Sequence, residues 1–189
     1  LVDRREAASC WELEKPPRMV GRFLWAFRLL LLCMATCLSL RAADPLSQWT
    51  LRSVPGGGLT ALCYGTDQFV AVGGLGTILT SSDTTTWVFQ YSNTSFLLSC
   101  VAYGNQTFVA VGEAGTILSS PDGVNWTQRV SLTTQALWGV CFGNKMFVAV
   151  GDSGTVLTSP DGVTWTARDS GTTEWLGAII YDRTEFVVV

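Results

Sequence analysis

From residue 58 onward the apolar positions come in short runs of four to six residues. Between them stand glycine, proline, asparagine and aspartate, and no helical period is present. One stretch reads as four strands, Leu98 to Tyr103, Thr107 to Val111, Thr116 to Ser119 and Trp126 to Val130. The breaks are Gly104-Asn105, Gly112-Glu113-Ala114-Gly115 and Pro121-Asp122-Gly123. The pattern returns every 39 residues without insertion or deletion. Phe69 to Gly73 recurs as Phe108 to Gly112 and Phe147 to Gly151, and a fourth copy runs from Phe186 to Val189. Trp87, Trp126 and Trp165 keep the same spacing. A fixed period means one structural module stacked on the next.

Four antiparallel strands in a repeat of about 40 residues predict an all-β fold, a partial β-propeller of four-stranded blades. The turn before each fourth strand has its own chemistry. In Ser120-Pro121-Asp122-Gly123 and Ser159-Pro160-Asp161-Gly162, proline suits the second turn position, aspartate accepts backbone N–H bonds and glycine takes the positive φ that returns the chain. The Trp three residues after the glycine is expected to cover the turn and pack in the blade. The first copy, Ser81-Ser82-Asp83-Thr84, keeps Ser, Asp and Trp87 but has neither Pro nor Gly, so its turn is expected to be the loosest.

The Ser-Pro-Asp-Gly-Val-x-Trp segment after Gly-Thr-x-Leu resembles the Asp-box, or BNR, repeat of sialidase-like and sortilin-like propellers, in a variant one residue shorter between Asp and Trp. Its residues are Ser81, Asp83, Trp87, Ser120, Asp122, Gly123, Trp126, Ser159, Asp161, Gly162 and Trp165. The Phe-Val-Ala-Val-Gly-x-x-Gly-Thr-x-Leu context is similar to the photosystem II assembly-factor group, and more closely to secreted bacterial repeat proteins. The resemblance spans residues 46–189 and implies fold, not activity.

The amino-terminal region reads differently. Residues 1–18 precede the first Met and read as upstream sequence. Residues 19–43 have the parts of a signal peptide: Arg22 and Arg28, the apolar stretch Leu29 to Leu40, and Ala42-Ala43 before Asp44. Twelve apolar residues fall short of the roughly 20 that span a bilayer. A lipidated alternative ends at Cys33 or Cys37. Residues 44–189 then form about three and a half blades, opened by an isolated fourth strand at Trp49 to Arg52 and broken off in mid-module.

Composition narrows the chemistry. The chain has no histidine, which excludes serine–histidine triads and histidine-ligated zinc. Residues 44–189 carry five basic and eleven acidic side chains, a balance unsuited to nucleic acid or anionic membrane surfaces. Sialidase-like hydrolysis would by resemblance require an arginine cluster, but Arg52, Arg129 and Arg168 occupy one repeated position and read as blade features. Asp83, Asp122 and Asp161 stand one per blade, too far apart for a metal, so no metal and no cofactor is expected. Cys63, Cys100 and Cys141 read as buried thiols.

Departures from the repeat are where function is sought, because the fold does not need them. Trp138 aligns with Ser99 and Gly177, and Trp175 with Leu97 and Ala136. Glu113 and Asp152 share a position in the Gly-x-x-Gly turns, on the same end of the blades. The resulting expectation is an exported, non-enzymatic scaffold for a protein or glycan at the cell surface or outside the cell. The alternatives are a sialidase-like glycoside hydrolase with catalytic residues in further blades, and a periplasmic assembly factor. Neither nucleic acid binding nor membrane insertion after signal cleavage is expected.

Overall fold

The computed structural model describes residues 58–189; the expectations for residues 1–18, the signal peptide and the Trp49 strand lie outside them. Blade 1 is β1 (Leu59–Gly65), β2 (Gln68–Gly73), β3 (Ile78–Ser81) and β4 (Val88–Gln90). Blade 2 is β5 (Leu98–Gly104), β6 (Thr107–Gly112), β7 (Ile117–Ser120) and β8 (Thr127–Gln128). Blade 3 is β9 (Leu137–Gly143), β10 (Met146–Gly151), β11 (Val156–Ser159) and β12 (Thr166–Arg168). A fourth sheet pairs β13 (Ile179–Tyr181) with β14 (Phe186–Val188). Each four-stranded sheet is an antiparallel meander in sequence order.

The second and third strands of each blade run through the middle of its sheet, between two neighbouring strands and two sheet faces. That double coverage explains why Phe-Val-Ala-Val is apolar throughout instead of alternating. Phe108, Val109, Ala110 and Val111 are fully buried, as are Phe147, Ala149 and Val150. Burying each large side chain of this kind contributes about 1.5–3 kcal/mol. The fourth strands are the shortest and most exposed: the expected Trp126 to Val130 strand shrinks to Thr127–Gln128. Trp126 instead closes the preceding turn, its Nε1 donating to the Gly123 carbonyl at 2.7 Å.

Blades join through three recurring contacts. The first is an aromatic ring set on a glycine. Tyr103 of blade 2 lies over Gly65, Phe142 of blade 3 over Gly104, and Tyr181 over Gly143, each ring filling the place a Cβ would occupy. Within its own blade each ring also tilts against the phenylalanine of the next strand, Tyr103 on Phe108 at 4.6 Å and Phe142 on Phe147 at 4.7 Å.

The second contact is a hydroxyl latch. Thr60 Oγ1 donates toward the Leu98 carbonyl at 2.5 Å, and Ser99 Oγ toward that of Leu137 at 2.5 Å. The third contact seats the Ser-x-Asp turns of blades 2 and 3 on the preceding blade. Gln68 Nε2 donates to the Asp122 carbonyl, and Asn105 Nδ2 to that of Pro160 at 3.3 Å.

Candidate functional site

At one end of the blades, each turn between third and fourth strands is built on its aspartate. Asp122 Oδ1 accepts the N–H of Val124 at 2.9 Å and of Asn125 at 2.8 Å, and the Ser120 hydroxyl at 2.9 Å. Asp161 repeats this with Val163, Thr164 and Ser159, and Asp83 with Thr85, Thr86 and Ser81. Gly123 and Gly162 take φ of +70° and +73°. The turn of the first copy, expected to be the loosest, keeps the same hydrogen bonds, with Thr84 at φ 62° in the glycine position. A β-branched residue in that region costs about 1–2 kcal/mol. Thr84→Gly is therefore expected to raise the unfolding free energy by about 1 kcal/mol in urea titrations, after the larger unfolded-state entropy of glycine is deducted.

The tryptophans of these turns differ in depth. Trp87 and Trp126 are half-buried, whereas Trp165 is buried and its Nε1 has no hydrogen-bond partner. The backbone N–H of Asn125 is the main group holding the Asp122 carboxyl well below the usual carboxylate range, as those of Thr86 and Thr164 do for Asp83 and Asp161. A folded-state value below the unfolded one of about 3.9 gives stability present above that pH and lost as pH falls through the folded values. Urea midpoints are expected to drop below about pH 4, and the drop to flatten when all three aspartates are replaced by asparagine.

The opposite end carries the turns between second and third strands and the links between blades. Here the first strand of every blade has a bulge, at Thr60, Ser99 and Trp138. Bulges re-aim a side chain and gather beside functional sites. In blades 1 and 2 the bulged residue is the latch hydroxyl. In blade 3 it is Trp138, half-buried, whose Nε1 donates to Asp152 Oδ1 at 2.6 Å. The link that follows blade 3 closes over the turn holding Asp152: Gly154 N–H donates to the Glu174 carbonyl at 2.7 Å and Leu176 N–H to that of Gly151 at 3.1 Å. Between those two anchors stands Trp175, 64% exposed, its indole lying over Gly177.

Trp138, Asp152 and Trp175 are thus brought together around one turn. Glu113 sits on the neighbouring turn, beside β9, exposed, with a carboxylate oxygen accepting the Leu97 N–H at 3.3 Å. Asp152 is tied to the framework by its short bond to Trp138, whereas Glu113 bonds only the link before its own blade's first strand. What the sequence did not reveal is the supporting part, Glu174 and Gly177. A signal was present in the repeat, since Gly177 occupies the Trp138 position and leaves room for the Trp175 ring.

Other candidates stay apart. Arg129 Nε donates to Ser119 Oγ and Arg168 Nε to Thr158 Oγ1, both at 2.8 Å. Each arginine is tied to the third strand of its own blade, and these two form no common clamp. Cys63, Cys100 and Cys141 are free and half-buried, less enclosed than expected. Burial pushes the Cys63 thiol up to about 12. Among the described residues no group of three or more His, Cys, Asp or Glu is placed to hold a metal, and no helix is long and apolar enough to cross a membrane.

No protein-family model matches the chain, and no curated protein sequence does. Solved structures do. The computationally designed Ika4 protein is similar at 18% identity with a TM-score of 0.60, over 75% of this chain and 91% of that one. YCF48 from Cyanidioschyzon merolae is similar at 21% identity and TM-score 0.50, over 59% of this chain and 38% of that one. YCF48 bound to D1 peptide is similar at 17% and 0.52, over 69% and 46%. The fold is a partial β-propeller. At these identities the likeness carries the fold alone, and the chain spans less than half the length of either YCF48 structure.

Proposed function

We propose that this propeller is a non-enzymatic scaffold that holds a segment of a partner protein against the rim formed by Glu113, Trp138, Asp152 and Trp175, and that it works outside the cytoplasm after export. The observation that carries the reading is Trp175, an indole left 64% exposed at a position where the repeat has Leu97 and Ala136. A large amphipathic ring held on a rigid support loses little conformational freedom on binding, which is why tryptophan is enriched among residues that dominate interfaces. The Trp138–Asp152 bond supplies that support by fixing the turn to which the Trp175 link is anchored. The described residues carry ten acidic and four basic side chains, which suits a neutral or cationic segment. That YCF48 has been solved with a D1 peptide bound supports a peptide as ligand for a propeller of this shape.

The test is tryptophan fluorescence titration of the full chain with a panel of synthetic peptides and, separately, of oligosaccharides. Saturable peptide binding, weakened at least about tenfold by Trp175→Ala, is the expected result, in line with the loss of a dominant interface residue. Binding of oligosaccharides alone would replace the peptide reading with a glycan one. Peptide binding unaffected by Trp175→Ala would remove the site.

A further inference from the structure

The outer edge of blade 1 departs from the repeat in one direction. Trp87 keeps its place, but the residues after it, Val88-Phe89-Gln90-Tyr91, stand where blade 2 has Thr127-Gln128-Arg129-Val130 and blade 3 has Thr166-Ala167-Arg168-Asp169. In the turn before β3, Leu75 stands where the later blades have Ala114 and Ser153. Leu75 is 83% exposed, Phe89 57% and Tyr91 80%. The three line one groove of about 520 Å³, and every residue lining it is uncharged. Blade 2 has a groove at the same place, lined among others by Ala114, Gln128, Arg129 and Val130. There Ala114, Gln128 and Val130 are exposed although blade 1 stands in front of them, so the openness belongs to the position.

An outer strand offers a row of unpaired backbone groups, and proteins guard such edges with charge. In blades 2 and 3 the guard is arginine: Arg129 and Arg168 each bond a third-strand hydroxyl through Nε at 2.8 Å. In blade 1 Gln90 makes the equivalent bond, its Nε2 donating to Thr80 Oγ1 at 2.8 Å, without the charge. β4 is the last strand of its sheet, and nothing among the described residues pairs with its outer side. Gln90 lies opposite Ile78 as Arg129 lies opposite Ile117, whose carbonyl takes the Arg129 N–H at 2.8 Å. Alternation along an antiparallel strand then turns the N–H and C=O of Phe89 outward.

We propose that this edge is where a second copy of the chain docks, β4 against β4, in a two-fold dimer centred on Phe89. A residue opposite its own copy exchanges both backbone hydrogen bonds with it, and the two rings meet on one face. The pairing is isologous, so it closes at two copies. Charge selects the occupant. The described residues carry ten acidic and four basic side chains, so copies repel one another over most of their surface. From Thr84 to Gly112 there is no charged residue, and at this edge the repulsion is weakest. At roughly 200 Å² for a large side chain, Leu75, Phe89 and Tyr91 leave about 440 Å² open per copy, about half of what each partner of a standard interface buries. An area of that size gives a weak, reversible dimer.

Sedimentation velocity of the full chain from micromolar to near-millimolar concentration tests this. The wild type is expected to convert reversibly from monomer to dimer and to stop there. Gln90→Arg restores the guard that blades 2 and 3 hold, and Phe89→Gln restores the polar edge of blade 2. Each is expected to raise the dimer dissociation constant at least about tenfold, the first by setting like charges beside the two-fold axis and the second by removing the central ring pair. Blade 2 already holds both residues at these positions, so both variants are expected to fold, and circular dichroism checks it; should one fail, the other decides. Association through any other face would persist in both. A wild type that stays monomeric throughout, growth beyond a dimer, or association unchanged in either folded variant overturns the proposal.

Discussion

Phe147→Ala is expected to lower the unfolding free energy by about 3–5 kcal/mol, the usual cost of emptying a buried phenylalanine site. The ring is fully buried in β10 and belongs to the cluster that joins Val109, Val111 and Ile117 of blade 2 to Leu137, Val140 and Leu157 of blade 3. It also leans on Phe142, so truncation opens a cavity beneath a residue that itself seals the junction. Sheets hydrogen-bonded on both sides cannot collapse into such a space. Trp126→Ala, at a residue the repeat pattern places in the blade core, is expected to cost less. Trp126 is half-buried and meets Phe108 only at 6.4 Å between ring centres. Urea unfolding of the two variants side by side gives the comparison. A cost below about 1 kcal/mol for Phe147→Ala, well under the range for buried aromatics, would mean the blade junction is not packed as described.

Gly104→Ala is expected to cost about 2–3 kcal/mol, at the upper end for overpacking by a single methyl. The new carbon would coincide with ring atoms of Phe142, and that ring is wedged between two blades. Conformation is not the reason, since the backbone at Gly104 does not take a positive φ. Gly171 supplies the contrast: it has φ +71° and nothing within 4 Å of a built Cβ, so Gly171→Ala should show only conformational strain, about 1 kcal/mol. Thermal unfolding of both variants separates the two causes. A double variant, Gly104→Ala with Phe142→Ala, should cost less than the sum of its parts because the methyl then has space. Strict additivity would argue that ring and glycine do not share the site.

How much of this was legible beforehand depends on the distance over which each residue acts. The period of 39 residues, the strand order and the turn chemistry follow from local rules, because a strand, a hairpin turn and an aspartate accepting N–H bonds two and three residues ahead are decided within a few positions. The fourth strand was overestimated for a reason of the same kind. Trp126 is a good strand former, but its indole N–H is drawn back to Gly123, and the strand begins after it.

The candidate site was half legible. Trp138 and Trp175 stand out because they break a pattern that the fold alone would keep, and Glu113 and Asp152 because they share one turn position at the same end. That Trp138 donates to Asp152 across 14 residues, while Trp175 stands on a link anchored to the same turn, depends on a bulge and on two backbone bonds that no periodicity encodes. The glycines at the blade junctions show the same division. By itself the sequence determined the module, its period and the identity of the residues that depart from it. Only the tertiary structure decided that Gly65, Gly104 and Gly143 answer to rings in the following blade. A residue's neighbours along the chain set its conformation, but the side chain that fills the space above it comes from another sheet.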